Sequence, residues 1–222
     1  MKYLIFSDTH LTEKFEPKKF EFLKKIITSA DRVIIAGDFY DQYFTSLNKV
    51  LNSDWKPLLD LLKKKKAVYI PGNHDLLVGD DSEYSFCQKI VPEYKFKSGE
   101  VEIVVRHGDK LTPGFEKFKF LPKKLRNFIS RIHNLTENIL TSSFGWLGAK
   151  MYLYRYLDLW KTIKIKKKKD TGQWWILGHI HLPYFNERIR YVNTGFVNHG
   201  LASYVLIEDG KIELKKEEYS AL

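Results

Sequence analysis

Short apolar runs, each cut off by a polar turn, dominate the first third of the chain. Residues 2–6 (KYLIF), 32–36 (RVIIA) and 67–70 (AVYI) are compact β-prone runs and predict buried strands. Between them the period changes. In 17–30 the apolar residues Phe20, Phe22, Leu23, Ile26 and Ile27 fall at helical spacing. In 46–63 Leu47, Val50, Leu51, Leu58, Leu61 and Leu62 form a second helical stripe. Strand–helix alternation of this kind predicts βαβαβ with a parallel sheet.

The second half changes character. Residues 101–106 (VEIVVR) and 173–177 (QWWIL) predict strands. Residues 189–193, 203–208 and 211–215 predict shorter ones, the last two joined by Asp209-Gly210, a hairpin signal. Between the two groups lies a segment, about 110–171, with helical stretches at 122–132 and 147–163. Its aromatic residues (Phe115, Phe118, Phe120, Phe128, Phe144, Trp146, Tyr152, Tyr154, Tyr156 and Trp160) interleave with lysine and arginine. The expected organisation is a single α/β domain over 1–222 with this segment as a helical insert.

Charge sharpens the picture of the insert. The chain carries a net +10 over 222 residues. From Lys110 to Leu177 there are 15 basic and 4 acidic residues, which leaves 22 basic and 23 acidic elsewhere. The whole basic excess therefore sits in one segment, and such a surface attracts nucleic acid, anionic lipid or an anionic substrate. One cysteine, Cys87, excludes an intramolecular disulfide. The first residues turn polar too early for a signal peptide, and no apolar run reaches the ~20 residues that span a bilayer. The cytosol is the expected compartment, with the inner membrane surface as a docking place for the insert. Phosphate-containing substrate and anionic membrane are the expected partners, ahead of nucleic acid.

Candidate chemistry sits where the strands end. Six clusters occur in order: Asp8-x-His10, Gly37-Asp38, Gly72-Asn73-His74-Asp75, His107-Gly108-Asp109, Gly178-His179-x-His181 and Asn193-x-Gly195. Four follow directly on an apolar run. Singly they are weak, since Asp often caps a helix and Gly-Asn favours turns. Two imidazoles two residues apart at a strand end rarely serve packing, and the ordered set is a poor candidate for coincidence. A thiolate-free Asp/His/Asn set suits hard-to-borderline divalent cations acting on phosphate.

The ordered motifs DTH, GDFYD, GNHD, HGD and GHIH resemble the calcineurin-like metallophosphoesterase superfamily, from Asp8 to His181 and on to Asn193-Thr194-Gly195. The resemblance implies a four-layer α/β/β/α sandwich and two divalent ions, Mn2+ above all, with Fe or Zn2+ as alternatives. It assigns Asp8, His10 and His181 to one ion and Asn73, His107 and His179 to the other, with Asp38 bridging. It implies that the ions activate a shared water and that His74 assists at phosphorus or at the leaving oxygen, with Asp75 orienting its ring. Asp109 reads as a supporting or turn residue, His133 as surface or packing, and His199 as a loop histidine.

The superfamily includes phosphomonoesterases, phosphodiesterases, DNA nucleases, protein phosphatases and lipid pyrophosphatases, and the metal motifs do not separate them. The insert's placement between HGD and GHIH resembles the helical cap of the UDP-2,3-diacylglucosamine pyrophosphatases, although that group commonly carries Arg where this chain has His74. A phosphoesterase acting on a lipid-linked nucleotide is the first reading. A nuclease that tracks a backbone through the basic insert is the second. A metal-stabilised, non-enzymatic scaffold is the third. For the insert itself the alternative to a substrate cap is a helical hairpin whose aromatics form a small core.

Overall fold

A computed structural model describes residues 1–75, 84–112, 122–169 and 172–219. The first half runs β1 (Lys2–Phe6), α1 (Pro17–Thr28), β2 (Arg32–Ile35), α2 (Leu47–Leu51), α3 (Lys56–Lys64), β3 (Val68–Tyr69), β4 (Lys89–Ile90), β5 (Tyr94–Ser98) and β6 (Val101–Arg106). The insert supplies α4 (Lys123–Lys150) and α5 (Leu153–Lys168). The chain then closes with β7 (Trp174–Leu177), β8 (Tyr184–Asn186), β9 (Tyr191–Asn193), β10 (Val197–Asn198), β11 (Leu201–Glu208) and β12 (Lys211–Glu218).

Among the described residues the strands form two sheets. One has the order β10-β11-β1-β2-β3-β4, with β12 also paired to β11; the other is β5-β6-β7-β9-β8. β1, β2, β3 and β4 are parallel, as are β6, β7 and β9. β11 joins the first sheet antiparallel to β1, and β11–β12 is the hairpin expected from Asp209-Gly210.

Strand periodicity then builds the layers. Along β1, Ile5 points between the sheets while Leu4 and Phe6 face the helices on the other side. The inter-sheet layer sets Ile5, Ile34 and Val205 against Ile103, Val105, Ile176 and Val192. Outside the first sheet, Leu4, Phe6 and Ile35 pack on Phe22, Leu23 and Ile26 of α1 and Leu58 and Leu62 of α3. Outside the second, Val104, Trp175, Leu177 and Tyr191 pack on Leu159, Ile163 and Ile165 of α5. This is the expected four-layer α/β/β/α arrangement. Each fully buried aliphatic side chain contributes roughly 1.5–3 kcal/mol to holding these layers together.

Two expectations on helices need correction. The stripe at 46–63 is two helices, because the backbone breaks at Asn52 and restarts with Pro57 in the first turn of α3. In the insert, α4 runs well past residue 132, with non-helical backbone inside it at Gly145. Of the alternative reading of the insert, the packing of α5 on the sheet is present, but its aromatic core does not form from the described residues: Phe128, Phe144, Tyr154, Tyr156 and Trp160 are exposed. Trp146 instead packs on Phe196, and Phe115, Phe118 and Phe120 lie outside the described residues.

Candidate metal centre and active site

Parallel strands that end at one edge of each sheet deliver their terminal loops to a common place. Asp8 and His10 follow β1, Asp38 follows β2, and Asn73 and His74 follow β3. From the second sheet, His107 follows β6, and His179 and His181 follow β7. All seven expected ligands meet there. Asp8, His10 and His181 bring ligand atoms within 4.8 Å of one another, and so do Asp38, His107 and His179.

Within the first group, His181 Nε2 lies 3.1 Å from Asp8 Oδ1 and 3.2 Å from His10 Nε2. Within the second, His107 Nε2 lies 3.0 Å from Asn73 Oδ1 and 3.3 Å from Asp38 Oδ2. The same Asp38 oxygen is 4.0 Å from His10 Nε2, so one carboxylate faces both groups. Its other oxygen accepts the His74 amide at 2.8 Å.

The backbone is held in an uncommon conformation to reach this geometry. Asp8, His10, Asp38, His179 and His181 all have φ between 45° and 70°. Such residues are rare outside glycine and cost on the order of 1–3 kcal/mol each. Main-chain bonds hold them: Asp8 N–H donates to Gly37 O at 3.0 Å, and the amides of Thr9 and His10 both donate to Asp38 O at 3.0 Å. Glycine allows the close approach. A Cβ on Gly72 would fall onto the Asp38 carboxylate, and one on Gly178 would lie 2.6 Å from Asp8 Oδ2.

Imidazole tautomers are set from behind. His107 Nδ1 donates to Ala36 O at 2.8 Å, which leaves the Nε2 lone pair facing the site. His179 Nε2 donates to Thr112 O at 2.7 Å, which leaves Nδ1. Asn193 acts one step further out: its amide donates to Gly178 O at 2.7 Å and its oxygen accepts Gly195 N–H at 3.0 Å, fixing the GHIH turn.

Charge in the site is strongly coupled to the fold. Burial alone would push the Asp38 carboxyl up, but His107 and His74 beside it hold it well below the usual range. Asp8 is likewise lowered, with His181 outweighing burial. In return, and against their own burial, His107 is raised to about 10 by Asp38, and His181 to about 9 by Asp8 and Glu137. The pocket favours positive charge at these atoms, and Asp8 Oδ1 is a buried acceptor without a hydrogen bond. A buried carboxylate oxygen without a hydrogen bond, 3.1 Å from His181 Nε2, which itself lies 3.2 Å from His10 Nε2, fits a cation.

The expected link from His74 to Asp75 is corrected. Asp75 accepts the amides of Gly72 at 2.9 Å, Tyr40 at 3.2 Å and Phe39 at 3.3 Å, so it braces the loop. The carboxylate beside the His74 ring is Asp41, 3.2 Å from Nδ1, and the same carboxylate reaches His10 Nδ1 at 3.4 Å. The final aspartate of GDFYD, three residues after Asp38, was the available signal for it. His133 is a second correction. It lines the cleft over the ligands with Ser130, Asn134, Glu137, Tyr154 and Asp158, all from the insert, around a cavity of about 120 Å3. Nothing in the periodicity of α4 marks those positions as facing a metal site.

The family profile described as calcineurin-like phosphoesterase matches residues 1–196. The chain is a calcineurin-like phosphoesterase. This phosphoesterase is similar in fold to a hypothetical protein from Pyrococcus horikoshii OT3, at 12% identity and TM-score 0.54, covering 98% of this chain and 87% of that one. It is also similar to a single mutant of Vps29 from Entamoeba histolytica, at 15% identity and TM-score 0.50, covering 98% and 99%. The E. coli phosphoesterase YfcE aligns at 16% identity and TM-score 0.47, covering 99% and 100%. No curated protein sequence matches the chain. Family membership and the His/Asp clusters make this phosphoesterase a metal-dependent hydrolase of phosphoester bonds.

Proposed function

We propose that this phosphoesterase uses two divalent ions to hydrolyse a phosphate ester or pyrophosphate bond in an amphipathic, lipid-linked substrate at an anionic membrane surface. Asp8, His10 and His181 would hold one ion and Asn73, His107 and His179 the other, with Asp38 between them. Two ions held there acidify a water for in-line attack and clamp phosphate oxygens. The donor set of imidazole, carboxylate and amide suits Mn2+, with Fe or Zn2+ as alternatives. His74, with Nδ1 engaged by Asp41, keeps Nε2 for the phosphorus or the leaving oxygen. Burial works against its charge, but Asp38 and Asp41 raise its pKa to about 9, and Asp41 stays beside the ring when Asp38 is engaged by metal.

The two-faced character of α4 carries the substrate reading. Ser130, His133, Asn134 and Glu137 line the cleft. Leu125, Phe128, Ile132, Leu135 and Ile139, spaced three and four apart, are all exposed on the opposite side. Among the described residues, thirteen of the fifteen exposed large hydrophobic side chains belong to α4, α5 and their junction. Lys124 and Arg131 are exposed on α4, while the acids Glu137 and Asp158 line the cleft. An apolar stripe flanked by cations fits an anionic lipid surface. A nuclease reading is weaker, because no described Lys or Arg lines the cleft. No helix among the described residues is long and apolar enough to cross a membrane, so contact would be peripheral.

Mn2+-loaded protein should sediment with phosphatidylglycerol-containing vesicles and release UMP from a UDP-2,3-diacylglucosamine-type substrate. Degradation of single-stranded DNA without vesicle binding would favour the nuclease instead. No turnover on any phosphomonoester, diester or pyrophosphate would overturn the enzymatic reading.

A further inference from the structure

His181 differs from His107 and His179 in what stands behind it. Those two rings donate to main-chain carbonyls, Ala36 O and Thr112 O. His181 Nδ1 instead lies 3.4 Å from Oε1 of Glu137, a carboxylate on α4 and so on the insert. Glu137 is only 4% exposed, and a buried carboxylate persists only where it is paired. Arg155 of α5, itself fully buried, supplies the pair through Nη2. The guanidinium then reaches Ala149 O at 2.9 Å and the main-chain oxygen of His181 at 3.3 Å. It also lies 4.5 Å from the Tyr152 ring centroid. A continuous polar chain thus runs from the helix–helix junction of the insert, through Arg155 and Glu137, to the ring of His181.

We infer that Glu137 is the positioning residue for His181, so that the insert completes one metal site as well as covering it. This rests on the two-ion reading above. A carboxylate accepting Nδ1–H fixes the tautomer that leaves Nε2 toward Asp8 and His10, and it raises the basicity of the ligating nitrogen. None of the family's motifs contains Glu137. Its helix makes it available only because α4 crosses the cleft with its polar side inward.

Titration of chelator-stripped protein with Mn2+ tests this calorimetrically. Wild type should take up two ions; Glu137→Gln should weaken one binding event by about 10–100-fold and leave the other unchanged. The variant strands Arg155, so Glu137→Gln combined with Arg155→Met separates metal binding from stability. The double variant should recover thermal stability and keep the weak site. Affinity returning with stability would reduce Glu137 to packing and overturn the inference. Nitrogen-15 NMR of the Zn2+-loaded wild type needs no variant: His181 should be protonated at Nδ1 and metal-bound at Nε2, and the reverse overturns the inference. Wild type binding no metal would sink the metal reading itself. Two ions bound equally well by Glu137→Gln would sink only the role of Glu137.

Discussion

His74 and Asp75 are adjacent in sequence, yet their side chains serve different parts of the molecule. The His74 ring lines the cleft, stacks edge-on against His10 at 4.7 Å and Tyr43 at 4.9 Å, and meets Asp41 through Nδ1. His74→Ala should therefore lower kcat by about 10²–10⁴-fold while metal content, read by elemental analysis, stays near wild type. Loss of metal together with activity would make His74 a ligand. The two carboxylates separate in the same way. Asp41→Asn removes the charge facing both His74 and His10 and should reduce kcat at least about tenfold with little change in Tm. Asp75→Asn weakens three backbone anchors instead. It should cost about 1–3 kcal/mol, visible as a lower Tm, with a smaller effect on kcat per folded molecule. Burial, with the Asp38 carboxylate nearby, raises Asp75 to about 7 against the lowering effect of the backbone amides it accepts. Equal effects of the two substitutions on turnover would refute this division.

At the level of the elements, the sequence was most legible where local chemistry and local structure coincide. β1 and β6 have the predicted ends, and β2 and β7 lie within one residue of theirs, because an apolar run stopped by a polar turn is a signal carried by a few neighbouring residues. The same strand ends carry the seven expected ligands, which is why the sequence could mark residues that the fold brings together. β5 was missed although Tyr94, Phe96 and Ser98 alternate with exposed Lys95 and Lys97, since its lysines masked a half-buried edge. Asp41 and Glu137 were missed for a different reason. Their role depends on which turn and which helix face meet in space, and for Glu137 the meeting spans residues 137 and 181. The orientation of α4 was equally hidden, as its apolar stripe would ordinarily mark the inward face. Because that stripe points outward, charged residues there should abolish vesicle binding without touching the cleft. Phe128→Glu with Leu135→Glu should lose sedimentation with anionic vesicles and keep wild-type metal content and turnover of a water-soluble chromogenic phosphoester. Retained vesicle binding would remove the stripe from the docking surface.

On the scale of the whole molecule, the candidate metal centre lies across the seam between the two sheets. Each proposed ion draws ligands from both: Asp8 and His10 after β1 with His181 after β7, and Asp38 and Asn73 after β2 and β3 with His107 and His179 after β6 and β7. The apolar layer between the sheets is non-directional, so it resists separation but does little to define strand-end register. Ions held at the edge would add directional ties and would offset the cost of five left-handed backbone residues. Metal should accordingly act on folding as well as on catalysis. A ligand that binds only the folded chain stabilises it by about 2.7 kcal/mol at a hundred times its Kd. For a chain of this size each kcal/mol moves Tm by roughly 2–4 °C, so saturating Mn2+ should raise Tm by about 5–11 °C over chelator-treated protein. The gain should shrink in Asp38→Asn, because that carboxylate faces both groups of ligands. Scanning calorimetry with and without metal reads both quantities. A Tm indifferent to metal, in protein shown to bind it, would mean that the two sheets are already locked and that the ions serve chemistry alone.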